Sequence, residues 1–434
     1  MNDKSQVVIH NAGQLLTLAG GAQRGTQLGE LGIIENGAVL LEGEQILETA
    51  TSDSLLKKYP RVKRVDARGC VLMPGFVDPH THLVWAGDRA GEFDLRLQGK
   101  TYLEILAAGG GILSTVAATR KATIPELVAQ TRVRAWNAFQ NGTTTAEVKT
   151  GYGLTRESEL KQLEAILALD ETNPLELIPT FLGAHAIPPE YQDAASDYVE
   201  LLCQDMIPAV KSWWINHAHG RPLPFVDVFC EKGAFNLAQS RLILETAQNW
   251  GFPLKIHADE FENLGGAALA AELGAASADH LVKTSSEDIT ALANSATVAV
   301  SLPGTPFGLG EPEYTPARQI LDAGGLLSLA TDTNPGTSWC ESMQFILALA
   351  CRKLGLTPAQ AIAAATINAA AALNCQDRIG SLEPGKQADI LILSVDDFRH
   401  LGYRFGTNLV THVVKRGRIY PVTPTAPEIT NRPG

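Results

Sequence analysis

Two histidines one residue apart, His80 and His82, end the apolar run "PGFVDPHTH" that opens at Pro74. In an extended strand, residues i and i+2 face the same side, so both imidazoles can aim at one point, as metal ligands do. The pair alone is a weak signal, because polar residues are common at strand ends. The chain even carries a second such pair, His217 and His219 in "WWINHAHGRPLP", within a Gly/Pro-bounded stretch expected to be a solvated loop. What sets the first pair apart is recurrence. His185 closes "IPTFLGAH", His257 closes "PLKIH", His280 closes "ASADH" and Asp332 closes "LLSLATD". A lone histidine on an apolar strand is ordinarily a core residue with one hydrogen-bond partner, and several at strand ends would each need their own. A shared cation serves them together: imidazoles plus a carboxylate suit Zn2+ or iron and leave a position for water.

Such a cluster needs a frame that brings many strand ends to one place. Eight short apolar runs supply it: "GFVDPH", "TTTAEVKTG", "LELIPTFLGAH", "FVDVFCEKG", "PLKIHADEF", "ASADHLV", "ATVAVSLPG" and "LLSLATDTN". Helical patterns lie between them. In "IPELVAQTRVRAWNAFQNG", Leu127, Val128, Thr131, Ala135 and Phe139 fall at helical spacing and Gly142 fits a C-terminal stop; "QSRLILETAQNWG" repeats the device with Gly251. Strand and helix alternating eight times predict a (β/α)8 barrel of the α/β class, with its active site at the C-terminal ends of the strands. The outer segments read differently. "QVVIHNAGQLLTL", "GAVLLEGEQILETA" and "RVKRVDARGCVLM" near the start, and "GSLEPGKQADILILSVDDF" and "NLVTHVVKRGRIYPV" near the end, are short alternating runs between turns. They predict one small β-sandwich built from both termini, with boundaries at 1–73 and 376–434 around a barrel at 74–375. The Ala-rich stretch 342–373 is expected to be helical packing.

Composition narrows the function classes. The 434 residues, 45% hydrophobic and 19% charged, describe a globular chain with no apolar run approaching the ~20 residues of a membrane span. The first residues have no basic-then-apolar pattern, so a cytoplasmic location is expected. Six cysteines without a CxxC pair argue against a disulfide framework or a cysteine zinc site and are expected in the core. A net charge of −12 disfavours a nucleic-acid partner but leaves room for an anionic small substrate. "AAGGGILST" (107–115) lacks the Gly-Lys-Ser/Thr ending of a phosphate loop and is expected to be a turn or lid.

"PGFVDPHTH", "HADEF", the "DH" of "ASADH", "ATD" and the closing "GSLEPGKQADILIL" resemble the amidohydrolase superfamily over essentially the whole chain. "LRLQGKTYLEILAAGGGILSTV", "VKTGYGL", "GAHAIPPEY" and "ATDTNPGTS" are similar to its branch that opens an imidazolone ring bearing a propionate tail, in histidine degradation. The resemblance implies that His80, His82, His257 and Asp332 bind one Zn2+ or Fe3+. Superfamily members with two metals bridge them by a carboxylated lysine from the fourth strand, and Lys232 is available for that role. Glu260, three residues after His257, is expected to be the general base. His280 would orient the water or oxyanion and His185 the ring or its carbonyl, with the two roles exchangeable. Arg89 offers a planar fork for the tail carboxylate. The resemblance adds Tyr102 and Tyr152 as phenol donors, with Asn334, Gly336 and Thr337 contacting the polar end of the substrate. Asn-Pro-Gly is also a turn signal in its own right. A purine or pyrimidine deaminase, or a barrel scaffold without catalysis, are the rival readings. The only partners expected are the small-molecule substrate and a second copy in a homodimer.

Overall fold

The structure, a computed structural model, describes residues 6–100, 104 and 110–422. Strands β1 (Gln6–Leu16), β2 (Ile33–Glu42), β3 (Gln45–Thr51), β4 (Lys63–Asp66) and β5 (Val71–Pro74) come first. Eight strands follow at the expected places: β6 (Phe76–Asp78), β7 (Thr143–Lys149), β8 (Glu176–Ala184), β9 (Phe225–Cys230), β10 (Lys255–Ala258), β11 (Ser277–His280), β12 (Val298–Ser301) and β13 (Leu326–Leu329). The last are β14 (Ile390–Leu393), β15 (Val410–Lys415) and β16 (Arg418–Pro421).

β6 to β13 pair in sequence order, every neighbour parallel. The circle closes just beyond the strands, where Thr81 bridges Thr333, Asp332 N–H donates to His80 O at 3.1 Å and His82 N–H donates to Thr333 O at 2.9 Å. This is the expected barrel. The other strands form one sheet in the order β16-β15-β14-β5-β1-β2-β3, with β4 also on β1. Both ends of the chain fill its core, as Ile9, Leu15, Val39 and Leu72 pack with Ala388, Ile390, Ile392 and Val414.

The helices form where their caps and apolar faces require. Ile124–Gln140 starts in a capping box, Thr123 with Glu126, and buries Leu127, Thr131, Ala135 and Phe139, while Val128 is half-buried. Gly142 ends it at φ 99°, and a Cβ there would lie 2.9 Å from Leu391 Cδ1, so glycine is required twice over. Leu237–Asn249 repeats the box with Asn236 and Gln239, and stops before Gly251.

The stretch 342–373 forms three helices, Met343–Lys353, Pro358–Ala364 and Ile367–Ala371. One expectation is corrected. "WWINHAHG" is mostly helix, Ile207–His217, because Ile207, Val210 and Trp214 share a buried face; the Gly/Pro signal only ends it. His217 stacks on Trp213 with ring centroids 4.7 Å apart, and both His217 and His219 are solvent-exposed. In 107–115, the residues from Ile112 begin a helix, Ile112–Lys121. Cys230 is buried, the other five cysteines are half-buried, and all six are free. Among the described residues no helix is long and apolar enough to cross a membrane.

Candidate metal centre

The barrel delivers its chemistry through unusual backbone. His280 (φ 79°), Leu281 (φ 60°), Asp259 (φ 55°) and Asp332 (φ 53°) occupy the left-handed region that L-residues seldom adopt. Each lies at or just past the end of β10, β11 or β13. Such strain persists where the surroundings over-determine it, commonly at functional sites.

The side chains converge. His82 Nε2 lies 3.4 Å from His257 Nε2, and Asp332 Oδ1 lies 3.5 Å from both His80 Nε2 and His82 Nε2. His80, His82 and His257 have ligand atoms within 4.8 Å of one another, as do His80, His280 and Asp332. All five residues are buried. His80 Nε2, wholly buried, has no hydrogen-bond partner among the described residues. An orphaned imidazole nitrogen facing a carboxylate and two further imidazoles is the donor set of a cation site, so the residues fit a metal.

The electrostatics agree. Burial first, then neighbouring charges that include Lys149, holds His80, His82 and His280 well below the ordinary histidine range. They are neutral, with lone pairs to donate. Burial lifts Asp332 to about 6, while the Thr305 hydroxyl donates to its Oδ2 and pulls the other way.

The remaining site residues surround this cluster. Glu260 Oε2 is 3.6 Å from His280 Nε2, and burial, followed by Asp332 and Glu231, raises its carboxyl well above the carboxylate range. His185 stacks on His82 with ring centroids 4.9 Å apart, and its Nδ1 lies 3.1 Å from Gly151 O. Burial, and then His257, depresses it to about 3, so it too is neutral. The buried Tyr152 ring is 5.4 Å from His185 and 5.9 Å from His82. Arg89 donates from Nε and Nη2 to Glu92 Oε2 at 2.9 and 2.8 Å. A Cβ on Gly336 would lie 2.3 Å from Arg89 Nη1, so a side chain there would push the guanidinium from its place. Asn334 Oδ1 accepts from the backbone N–H groups of Gly336 and Thr337, each at 2.8 Å, and its Nδ2 donates to Asp332 O at 2.7 Å. Those bonds fix the loop's shape. Tyr102 lies outside the described residues. Lys232 points away from the cluster: it is exposed and pairs with Glu262 at 2.6 Å.

Several buried groups beneath the cluster escaped the sequence reading. Asp279 Oδ2 lies 2.7 Å from His80 Nδ1, and Asp227 Oδ2 lies 2.9 Å from His257 Nδ1. Glu147, Lys149 and Lys255 complete this inner layer, each wholly buried. Glu231 accepts from the N–H groups of Phe261 (2.9 Å) and Glu262 (3.2 Å), and so shapes the loop that carries Glu260. A signal was present: in "TTTAEVKTG", Thr145, Glu147 and Lys149 alternate with Ala146 and Val148, which puts charges on one face of a strand with no solvent side.

Comparison with known proteins agrees with this geometry. The model of the amidohydrolase family matches residues 71–420. An imidazolonepropionase of Herpetosiphon aurantiacus is 52% identical over 95% of this chain and 96% of its own length. One from Chloroflexus aggregans is 48% identical over 95% and 98%. Among solved structures, the E. coli guanine deaminase superposes with a TM-score of 0.69 at 16% identity, covering 96% of this chain and 99% of its own. An adenosine deaminase from Xanthomonas campestris with bound zinc gives 0.68 at 19% identity, covering 96% and 92%. At such identities the likeness to the deaminases is one of fold alone, whereas the full-length kinship near one half identity is decisive: the chain belongs to the amidohydrolase family and, within it, to the imidazolonepropionases.

Proposed function

We propose that this site hydrolyses 4-imidazolone-5-propanoate to N-formimidoyl-L-glutamate, with one Zn2+ or Fe3+ held by His80, His82, His257 and Asp332. The observation that carries the reading is the buried convergence of three imidazole Nε2 atoms and one carboxylate oxygen, with His80 Nε2 lacking any hydrogen-bond partner among the described residues. A bound metal supplies Lewis acidity that brings the pKa of water toward neutrality. Everything else is the work of the chain. His280 and Glu260 hold the attacking water between them. Glu260 accepts its proton as the water oxygen bonds to the ring carbonyl carbon. Raised well above its ordinary value, this carboxyl can return that proton to the ring nitrogen as the C–N bond breaks. His185, held by Gly151 O, hydrogen-bonds the carbonyl oxygen as charge develops there.

Arg89 and Tyr152 receive the propionate, assisted by Tyr102. Glu92 takes one edge of the guanidinium, so the carboxylate is met by the Nη1 edge that lies against Gly336. Asn334, Gly336 and Thr337 contribute through the loop shape described above. A carboxylate clamp is what separates this reading from a base deaminase, which has no acid tail to hold. The enzyme is read as a cytoplasmic homodimer acting on a free small molecule.

The test is a spectrophotometric assay on freshly generated imidazolonepropanoate with metal content measured on the same sample. Loss of ring absorbance that chelation abolishes and metal restores is expected. One metal per chain with no turnover would refute the substrate and direct the search to other cyclic amides and aminated bases.

A further inference from the structure

We infer that Lys149 is a positioning residue for the metal centre, holding by hydrogen bond the aspartate that faces the His257 ring and lying in looser ion-pair range of the one that faces His80. The inference rests on the metal-site reading above and deepens it. Lys149 ends β7 and is wholly buried, with Nζ 2.7 Å from Glu147 Oε1, 2.8 Å from Asp227 Oδ2 and 3.7 Å from Asp279 Oδ2. Those aspartate oxygens are the same atoms that face the two histidines: Asp227 Oδ2 is 2.9 Å from His257 Nδ1 and Asp279 Oδ2 is 2.7 Å from His80 Nδ1. A carboxylate only accepts, so His80, hydrogen-bonded to Asp279, carries its proton on Nδ1 and keeps the Nε2 lone pair for the cluster, and the negative Asp227 oxygen beside His257 Nδ1 favours the same tautomer there.

One ammonium thus sits behind two ligands that reach the site from different strands. Its compact point charge donates to carboxylates on β7 and β9 and faces a third on β11 at 3.7 Å. Lys255 is no substitute. Its Nζ, 3.8 Å from Glu147 and from Asp279, donates to Pro79 O at 3.0 Å and, among the described residues, makes no ion pair with Asp227. Without Lys149, three buried carboxylates would face one another across the barrel and turn apart, taking the ring orientations with them.

A purely structural ion cluster would affect stability alone. The experiment therefore measures Zn2+ affinity of the metal-free, folded full chain by competition with a chromophoric chelator, beside far-UV dichroism and urea unfolding. Lys149→Met is expected to weaken Zn2+ binding about 10- to 100-fold, as loss of groups that orient ligands does. Asp227→Asn should weaken it comparably, and the double variant should lose little more than the worse single, because both act through His257. A folded Lys149→Met protein with wild-type Zn2+ affinity and only a lower urea midpoint would overturn the inference. Should that variant fail to fold, Asp227→Asn and Asp279→Asn decide: unchanged affinity in both overturns it. A wild-type chain that binds no Zn2+ at all would instead remove the metal-site reading and this inference with it, so the two failures are distinct.

Discussion

Replacing Asp332 by asparagine should make the metal-free protein more stable and shrink the further stability that metal adds. Burial raises this carboxyl from the usual 3.8 to about 6. At 1.36 kcal/mol per tenfold change in proton affinity, holding it ionised in the folded chain costs roughly 3 kcal/mol. The folded state binds the proton more tightly than the unfolded state, so stability falls as pH rises from 3.8 to about 6, and the penalty is complete above that. Asparagine cannot ionise. Its carbonyl can still accept from Thr305, and its amide can donate toward the bare nitrogens of His80 or His82. In chelator at pH 7 the variant should therefore gain about 1–3 kcal/mol over wild type, shrinking to nothing near pH 4. With Zn2+ at a hundred times its dissociation constant, wild type gains about 2.7 kcal/mol, whereas the variant, lacking the anionic ligand, gains far less. Urea unfolding of both proteins, with chelator and with Zn2+, reads both effects directly. A metal-free variant weaker than wild type at pH 7, or equal Zn2+-dependent gains in the two, would refute the reasoning.

Three further outcomes are expected. Glu260→Gln should retain metal and lose most turnover, and the acid limb of the wild-type kcat/KM profile should lie above 4.5, since activity appears as the proton leaves a carboxyl whose affinity for it is raised; a limb at or below 4.5 would assign the base elsewhere. Arg89→Lys should raise KM with little change in folding, because an ammonium cannot hold Glu92 and a tail carboxylate along two edges; unchanged kinetics would mean the tail is bound by other groups. Glu176 joins the barrel to the terminal sheet through Arg378 at 2.5 Å and Lys415 at 3.0 Å, and although burial opposes its charge, Lys415 and Arg378 prevail and hold its carboxyl far below the usual range. Glu176→Gln should cost about 3 kcal/mol at pH 7, and because the folded carboxyl is the stronger acid, the gap to wild type should close as pH falls below about 4.3; a gap constant from pH 7 to 2 would contradict this.

What was legible in the sequence followed from local rules. Short apolar runs, four of the eight with a histidine at the strand end, marked the barrel strands, and caps and glycines marked the helices between them. Strand ends of a parallel barrel share one face, so His80, His82, His257, His280 and Asp332 could be placed together without coordinates. The inner layer was harder to read. Lys149, Asp227 and Asp279 come from three strands, and only the closed barrel puts them in contact. Nothing local distinguishes such a lysine from a solvated one except its place in a strand with no polar face. The "WWINHAHG" helix was missed for the opposite reason: turn-forming residues at its end outweighed an apolar spacing of Ile207, Val210 and Trp214 that decides the structure.

The barrel closes where Thr81 meets Thr333, between residues carried by its first and last strands. Those same two segments supply His80 and His82 on one side and Asp332 on the other. The candidate centre is therefore a rivet across the longest-range joint in the barrel. A nascent chain has no such site until its eighth barrel strand has been made and docked, and contacts of that sequence separation are the slowest to form. Arrival of the ion would report completion of the barrel, and a chain truncated before Asp332 should be unable to capture it, however well its histidines are formed.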